Sequence, residues 1–126
     1  MKKFVFVTMV TLALALFMSA CTTGSYSSVR SVEVNQKNHW SMSYEKFNGY
    51  KQRKITLNGK GEHKFTVEIT TESGTLGLLI CKNDGTAIYE ETELGTSVFE
   101  VVAEGGETYS IRLDAVTHAG SFDIKW

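Results

Sequence analysis

The sequence predicts an all-β fold: a single antiparallel β-sandwich, jelly-roll-like, of about eight short strands. Three observations carry that expectation. Apolar and polar residues alternate with a period of two in segment after segment, as in "EHKFTVEIT", where His63, Phe65, Val67 and Ile69 alternate with Lys64, Thr66, Glu68 and Thr70. Turn residues separate these segments at short intervals, and no stretch after residue 34 has the three-and-four apolar spacing of a helix.

The chain opens with Met1-Lys2-Lys3 and continues through the uncharged run "FVFVTMVTLALALFM" to "SAC" at Ser19–Cys21. A positive start, an apolar centre and small residues at its end describe an export signal over 1–20. The uncharged run is also near the lower limit for crossing a bilayer, so a retained transmembrane helix is one alternative, and secretion after plain cleavage behind Ala20 is another. The small residues running into Cys21 resemble the lipobox of bacterial lipoproteins, with Met18 where that family most often has Leu. That resemblance implies that Cys21 is the lipidated residue, that the chain is anchored on the extracytoplasmic side of a bacterial cell membrane, and that acyl chains such as palmitate hold it there. Two or more acyl chains anchor stably where one does not.

The chain contains two cysteines. With Cys21 consumed as a thioether, Cys81 has no intramolecular partner and reads as a small core residue at the end of "TLGLLIC". Without the lipid, a Cys21–Cys81 disulfide is open to an exported chain. Residues 21–34 hold the small polar stretch "TTGSYSSVRS" and read as a flexible tether, with a random-coil reach of about 15 to 20 Å.

The sandwich domain is expected over 35–126. In order, the candidate strands are "WSMSYEKF", "RKITLN", "EHKFTVEIT", "TLGLLIC", "TAIYEE", "TSVFEVVA", "ETYSIRLDA" and "GSFDIKW". With no proline in the chain, every reversal must rely on Gly, Asn, Asp or Ser. Asp84-Gly85 predicts a tight or slightly longer hairpin, and Asn58-Gly59, Gly105-Gly106 and Ala119-Gly120 predict other reversals. Phe65, Val67, Ile69, Tyr109, Ile111, Phe122 and Ile124 are expected to fill one core. The second half, from "GTLGLLICKNDGTAIYEE" through "VFEVVAEGGETYSIRLDA" to "AGSFDIKW", resembles the bacterial pre-peptidase C-terminal type β-sandwich. That resemblance implies a non-catalytic module and transfers no binding residue.

Thirteen basic residues stand against fourteen acidic, and loss of Lys2 and Lys3 with the signal leaves eleven. This weak acidic balance argues against nucleic acid as a partner. Ser43 and Lys46 match S-x-x-K without its companion motifs, and in a strand they would face opposite sides. No G-x-S-x-G, P-loop or H-E-x-x-H occurs, and His39, His63 and His118 lie in separate segments, with His118 reading as a turn residue. Asn83-Asp84-Gly85 lacks the distal ligands of a calcium loop. No enzyme, metal site or cofactor is therefore expected.

What remains is "HWSMSYEKFNGY" and the basic residues after it. Trp40, Tyr44 and Tyr50, with Lys51, Arg53 and Lys54, form the candidate partner-binding group, because large rings give contact energy and neighbouring charges steer approach. The expected function is a small membrane-anchored lipoprotein acting as a non-catalytic binding module at the bacterial cell envelope, for a polysaccharide or a protein. The alternative is an accessory or structural lipoprotein subunit of an envelope complex, without a ligand of its own. Exposure of Trp40, Tyr44 and Tyr50 on one surface favours the first, and their burial favours the second.

Overall fold

In the computed structural model, which describes residues 23–126, the alternating segments become seven antiparallel strands. They are β1 (Thr23–Val29), β2 (Val32–Gln36), β3 (His39–Thr56), β4 (Glu62–Lys82), β5 (Ala87–Glu91), β6 (Ser97–Glu104) and β7 (Thr108–Lys125). The signal segment 1–20 and Cys21 lie outside the described residues.

Three of these strands are far longer than the sequence suggests. β3 and β7 run 18 residues each and β4 runs 21, so each fuses two of the expected short strands. Each bends at a register shift: between Tyr44 and Gly49 in β3, and between Thr71 and Thr75 in β4, with the bend of β7 at Thr117–Gly120 facing both. The bends fold one continuous sheet into two layers, the way strands switch sheets at the corners of a sandwich. Layer I has the order β2, first half of β3, second half of β7, first half of β4, β6. Layer II has β1, second half of β3, first half of β7, second half of β4, β5. The bends and the β1–β2 and β5–β6 connections gather at a closed end, while the β2–β3 and β4–β5 hairpins and the β3–β4 and β6–β7 connections gather at an open end.

Glycine explains why the bends looked like chain reversals. Gly74 has φ +75°, and a Cβ there would collide with the Thr117 carbonyl; one on Gly120 would meet the Thr70 carbonyl. These residues let three backbones approach one another within a strand pathway rather than end it. Asp84-Gly85 does close a hairpin. The Gly85 amide donates to the Lys82 carbonyl at 2.9 Å and only Gly85 takes positive φ, so a type I turn followed by a left-handed glycine connects β4 to β5.

The tether reading of 21–34 is corrected for the described part. β1 pairs with β3 from Thr23↔Gln52 to Val29↔Lys46, and β2 pairs with the other half of β3. An edge strand held by backbone hydrogen bonds needs little apolar alternation, which is why small polar residues disguised it. Tyr26 adds the anchoring side chain, edge-on to Phe47 at 5.9 Å.

The core lies between the layers as expected. Phe65, Val67, Ile69, Tyr109, Ile111, Phe122 and Ile124 are all buried. Phe65 of layer I meets Tyr109 of layer II edge to face, centroids 5.7 Å apart. Tyr109 then turns its hydroxyl outward, accepting from the Glu104 amide and donating to the Glu104 carbonyl, which fixes the β6–β7 turn.

A buried polar chain pins the closed end. Thr71 donates its hydroxyl hydrogen to the Leu94 carbonyl at 2.9 Å, so it must accept from His118 Nε2 at 2.8 Å. His118 Nδ1 then accepts from the Tyr44 hydroxyl at 2.6 Å. His118, expected in a turn, is fully buried within β7 and links β3, β4, β7 and the β5–β6 connection. Burial pushes the Tyr44 phenol up and the His118 imidazole down from their ordinary values. The unfolded histidine binds a proton near pH 6.5 while the folded one resists it, so stability falls as pH drops below about 6.5. Denaturation series from pH 5 to 7.5 should show that decline in the native chain and a flatter, lower profile in His118→Gln.

Candidate functional site

The bends decide which candidate residues share a face. In the first half of β3 the even-numbered residues Trp40, Met42 and Tyr44 point inward; after the bend the odd-numbered Phe47, Lys51 and Ile55 do. The register shift between Tyr44 and Gly49 reverses the parity. Alternation carried straight through that shift misplaces every residue beyond it.

Trp40 and Tyr44 are therefore core, at 0% and 6% exposure, and the binding role expected of them is corrected. Lys51 is also interior, at 2% exposure. Its ammonium donates to Glu33 Oε1 at 2.6 Å and lies 4.3 Å from the centre of the Tyr26 ring. Glu33 uses its second oxygen to accept from the Trp40 indole at 2.8 Å. This network seals the edge where β1 and β2 meet, and both strands supply part of it. Arg53 stitches the open end: its guanidinium donates to the Gln36 and His39 carbonyls at 2.7 and 3.3 Å and stacks on Trp126 at 4.9 Å. Of the six expected residues, Tyr50 and Lys54 alone share the outer face of layer II, both half-buried.

Cross-strand register builds the rest of that face. Tyr50 lies opposite Asp114, Gln52 opposite Arg112 and Lys54 opposite Ser110. On the other side Tyr50 lies opposite Ser25 of β1, and Ser27 follows on the same face. The Arg112 guanidinium stacks on the Tyr50 ring at 4.2 Å. It also grips the exposed Asp114 carboxylate with Nε and Nη2 at 3.0 to 3.2 Å. Ring, guanidinium and carboxylate thus hold one another in place as a polar and aromatic unit. Arg112 and Asp114 were not singled out in the sequence. Their two-residue spacing within the alternating "ETYSIRLDA" is the signal that places both outward together.

The outer face of layer I differs. Val32, Val34, Ser41, Ser43, Ser121 and Asp123 border a shallow depression of about 250 Å³, with hydroxyls and valines but no exposed ring. Asp123 is held by His39 Nε2 at 3.0 Å. Among the described residues no group of three His, Cys, Asp or Glu side chains is arranged to hold a metal ion. Cys81 is free and half-buried, its thiol pushed up by burial and by Glu90.

No family model and no curated protein sequence matches the chain. Similar solved structures exist at low identity. One is a family 35 carbohydrate binding module from Clostridium thermocellum, with 12% identity over 83% of this chain and 98% of that one, TM-score 0.41. A second is a CBM35 from Paenibacillus barcinonensis, with 17% identity over 86% and 93%, TM-score 0.46. A third is the C-terminal CBM6 of a laminarinase from Zobellia galactanivorans, with 9% identity over 83% and 99%, TM-score 0.45. No residue role is transferred from these. The pre-peptidase resemblance has no counterpart among them.

Proposed function

We propose that the chain is a membrane-anchored, non-catalytic binding module of the bacterial cell envelope that holds a carbohydrate polymer on the outer face of layer II. The observation that carries this reading is the Tyr50–Arg112–Asp114 unit on the outer face of the sheet. An aromatic ring offers contact area at low entropy cost, and a fixed guanidinium and carboxylate offer donors and acceptors to neighbouring sugar hydroxyls. Arg112 binds Asp114 through Nε and Nη2, leaving the Nη1 donors for a ligand. The Gln52 amide and the Ser25 and Ser27 hydroxyls extend the same face. Asp114 offsets the charge of Arg112, so the centre of the surface suits a largely neutral polymer.

Affinity electrophoresis of the mature chain through gels containing soluble envelope polysaccharide tests this. Tyr50→Ala should weaken binding about tenfold, which is about 1.4 kcal/mol, with little change in stability because the ring lies outside the core. Retardation of Tyr50→Ala and Arg112→Ala equal to that of the native chain would remove the site.

The anchor rests on the lipobox resemblance at Ser19–Cys21. Cys21→Ser should abolish the mass increment of the lipid and release the chain from membranes. Equal membrane retention of both forms would favour an uncut helix, and full solubility of both would favour simple secretion. One observation supports the alternative of an accessory envelope subunit without a ligand: Trp40 and Tyr44 are committed to the core. In that case the layer II face would bind no polymer, while pull-downs of the anchored chain would recover a protein partner.

A further inference from the structure

We infer that the open end of the sandwich, which carries the turns, is a docking surface for an anionic lipid bilayer. This inference rests on the reading of Cys21 as the anchor.

The first argument is chain length. Only Thr22 separates Cys21 from the first residue of β1, so the anchor point lies within about 7 Å of Thr23. β1 runs from Thr23, opposite Gln52 and four residues short of the open-end terminus of β3 at Thr56, towards Val29 at the closed end. Val29 lies six residues further along, about 20 Å away, beyond what so short a connection can bring to the membrane. A lipid on Cys21 therefore holds the domain against the surface and does not suspend it on a leash.

The second argument is independent of the anchor. Within two residues of the turns and strand ends at the open end stand Lys37, Lys54, Lys60, Lys64, Lys82 and Lys125, against Glu62, Asp84, Glu104, Glu107 and Asp123. Near the bends and strand ends of the closed end, apart from the Glu33–Lys51 pair, Glu45, Glu72, Glu90, Glu91 and Glu93 stand against Arg30 and Lys46. Internal pairs do not reverse this difference: Lys82 is 3.6 Å from Glu107, Lys64 is 3.6 Å from Glu100, and Arg30 is 3.3 Å from Glu45. The closed end is thus clearly acidic while the open end carries a small excess of lysines, and anionic headgroups repel the first and accept the second. Tyr50 and Arg112 lie on the flank and stay open to a polymer.

The test couples the chain Cys21–Trp126, with Cys81→Ser, through its remaining thiol to a maleimide lipid in phosphatidylglycerol vesicles. Amide hydrogen exchange is then read by mass spectrometry. Exchange in 57–61 and 83–86 should slow roughly twofold or more, with 72–74 and 92–96 unchanged. The slowing should diminish in phosphatidylcholine vesicles and in Lys37→Gln/Lys54→Gln/Lys60→Gln. Slowing at the bends, equal slowing at both ends, or indifference to lipid charge would overturn the inference. Because the lipid is attached chemically, that result is separate from whether cells lipidate Cys21, which the mass of the native chain decides.

Discussion

Phe65→Ala should lower stability by about 3 to 5 kcal/mol, seen as a large drop in the denaturation midpoint at nearly constant slope. Phe65 is fully buried in β4 and touches both layers: Tyr109 edge to face at 5.7 Å and Trp126 at 6.2 Å. Its removal leaves a void between two sheets joined by strands that cannot close in without moving their bends. Tyr109 would lose its ring partner while keeping its hydroxyl bonds to Glu104, which opposes collapse of the site. A loss under about 1 kcal/mol would show that the layers do not pack as described.

Glu33→Ala should cost about 3 kcal/mol, the lower part of the range for breaking a buried ion pair, because the Glu33 side chain keeps 27% exposure. One substitution strands two buried donors, the Lys51 ammonium and the Trp40 indole N–H. Lys51→Met should cost much less, since Glu33 can turn to solvent once its cation is gone. The double variant Glu33→Leu/Lys51→Met should recover the part of the loss that comes from the stranded ammonium, as apolar replacements of buried pairs do, and leave the cost of the unpaired Trp40 indole. Equal costs for the two single changes would place Lys51 in solvent and contradict the sealed edge between β1 and β2.

The core was legible because alternation within each strand half is local. Phe65, Val67 and Ile69 sit on one half of β4, and no bend intervenes among them. The candidate site was legible only on one side of a bend. Tyr50 and Lys54 were placed with Trp40 and Tyr44 because the register shift at Tyr44–Gly49 leaves no mark in a hydropathy pattern. The pairing of the 23–36 segment with β3 was hidden for another reason. Its strands are held by backbone hydrogen bonds, by Tyr26 and by Glu33, and a glutamate that faces inward to meet a buried lysine reads in sequence as an ordinary surface residue. Arg112 and Asp114 share a face by simple alternation, but the stacking of Arg112 on Tyr50 crosses between strands of unrelated sequence position.

Chemical-shift mapping of the mature chain titrated with soluble polysaccharides, neutral and acidic, tests directly whether the outer face of layer II holds a polymer. Saturable shifts are expected at Tyr50, Gln52, Arg112 and Asp114 with a neutral polymer, lost in Tyr50→Ala while the core signals of Phe65 and Ile111 stay in place. Shifts confined to the outer face of layer I, or none with any polymer, would contradict it.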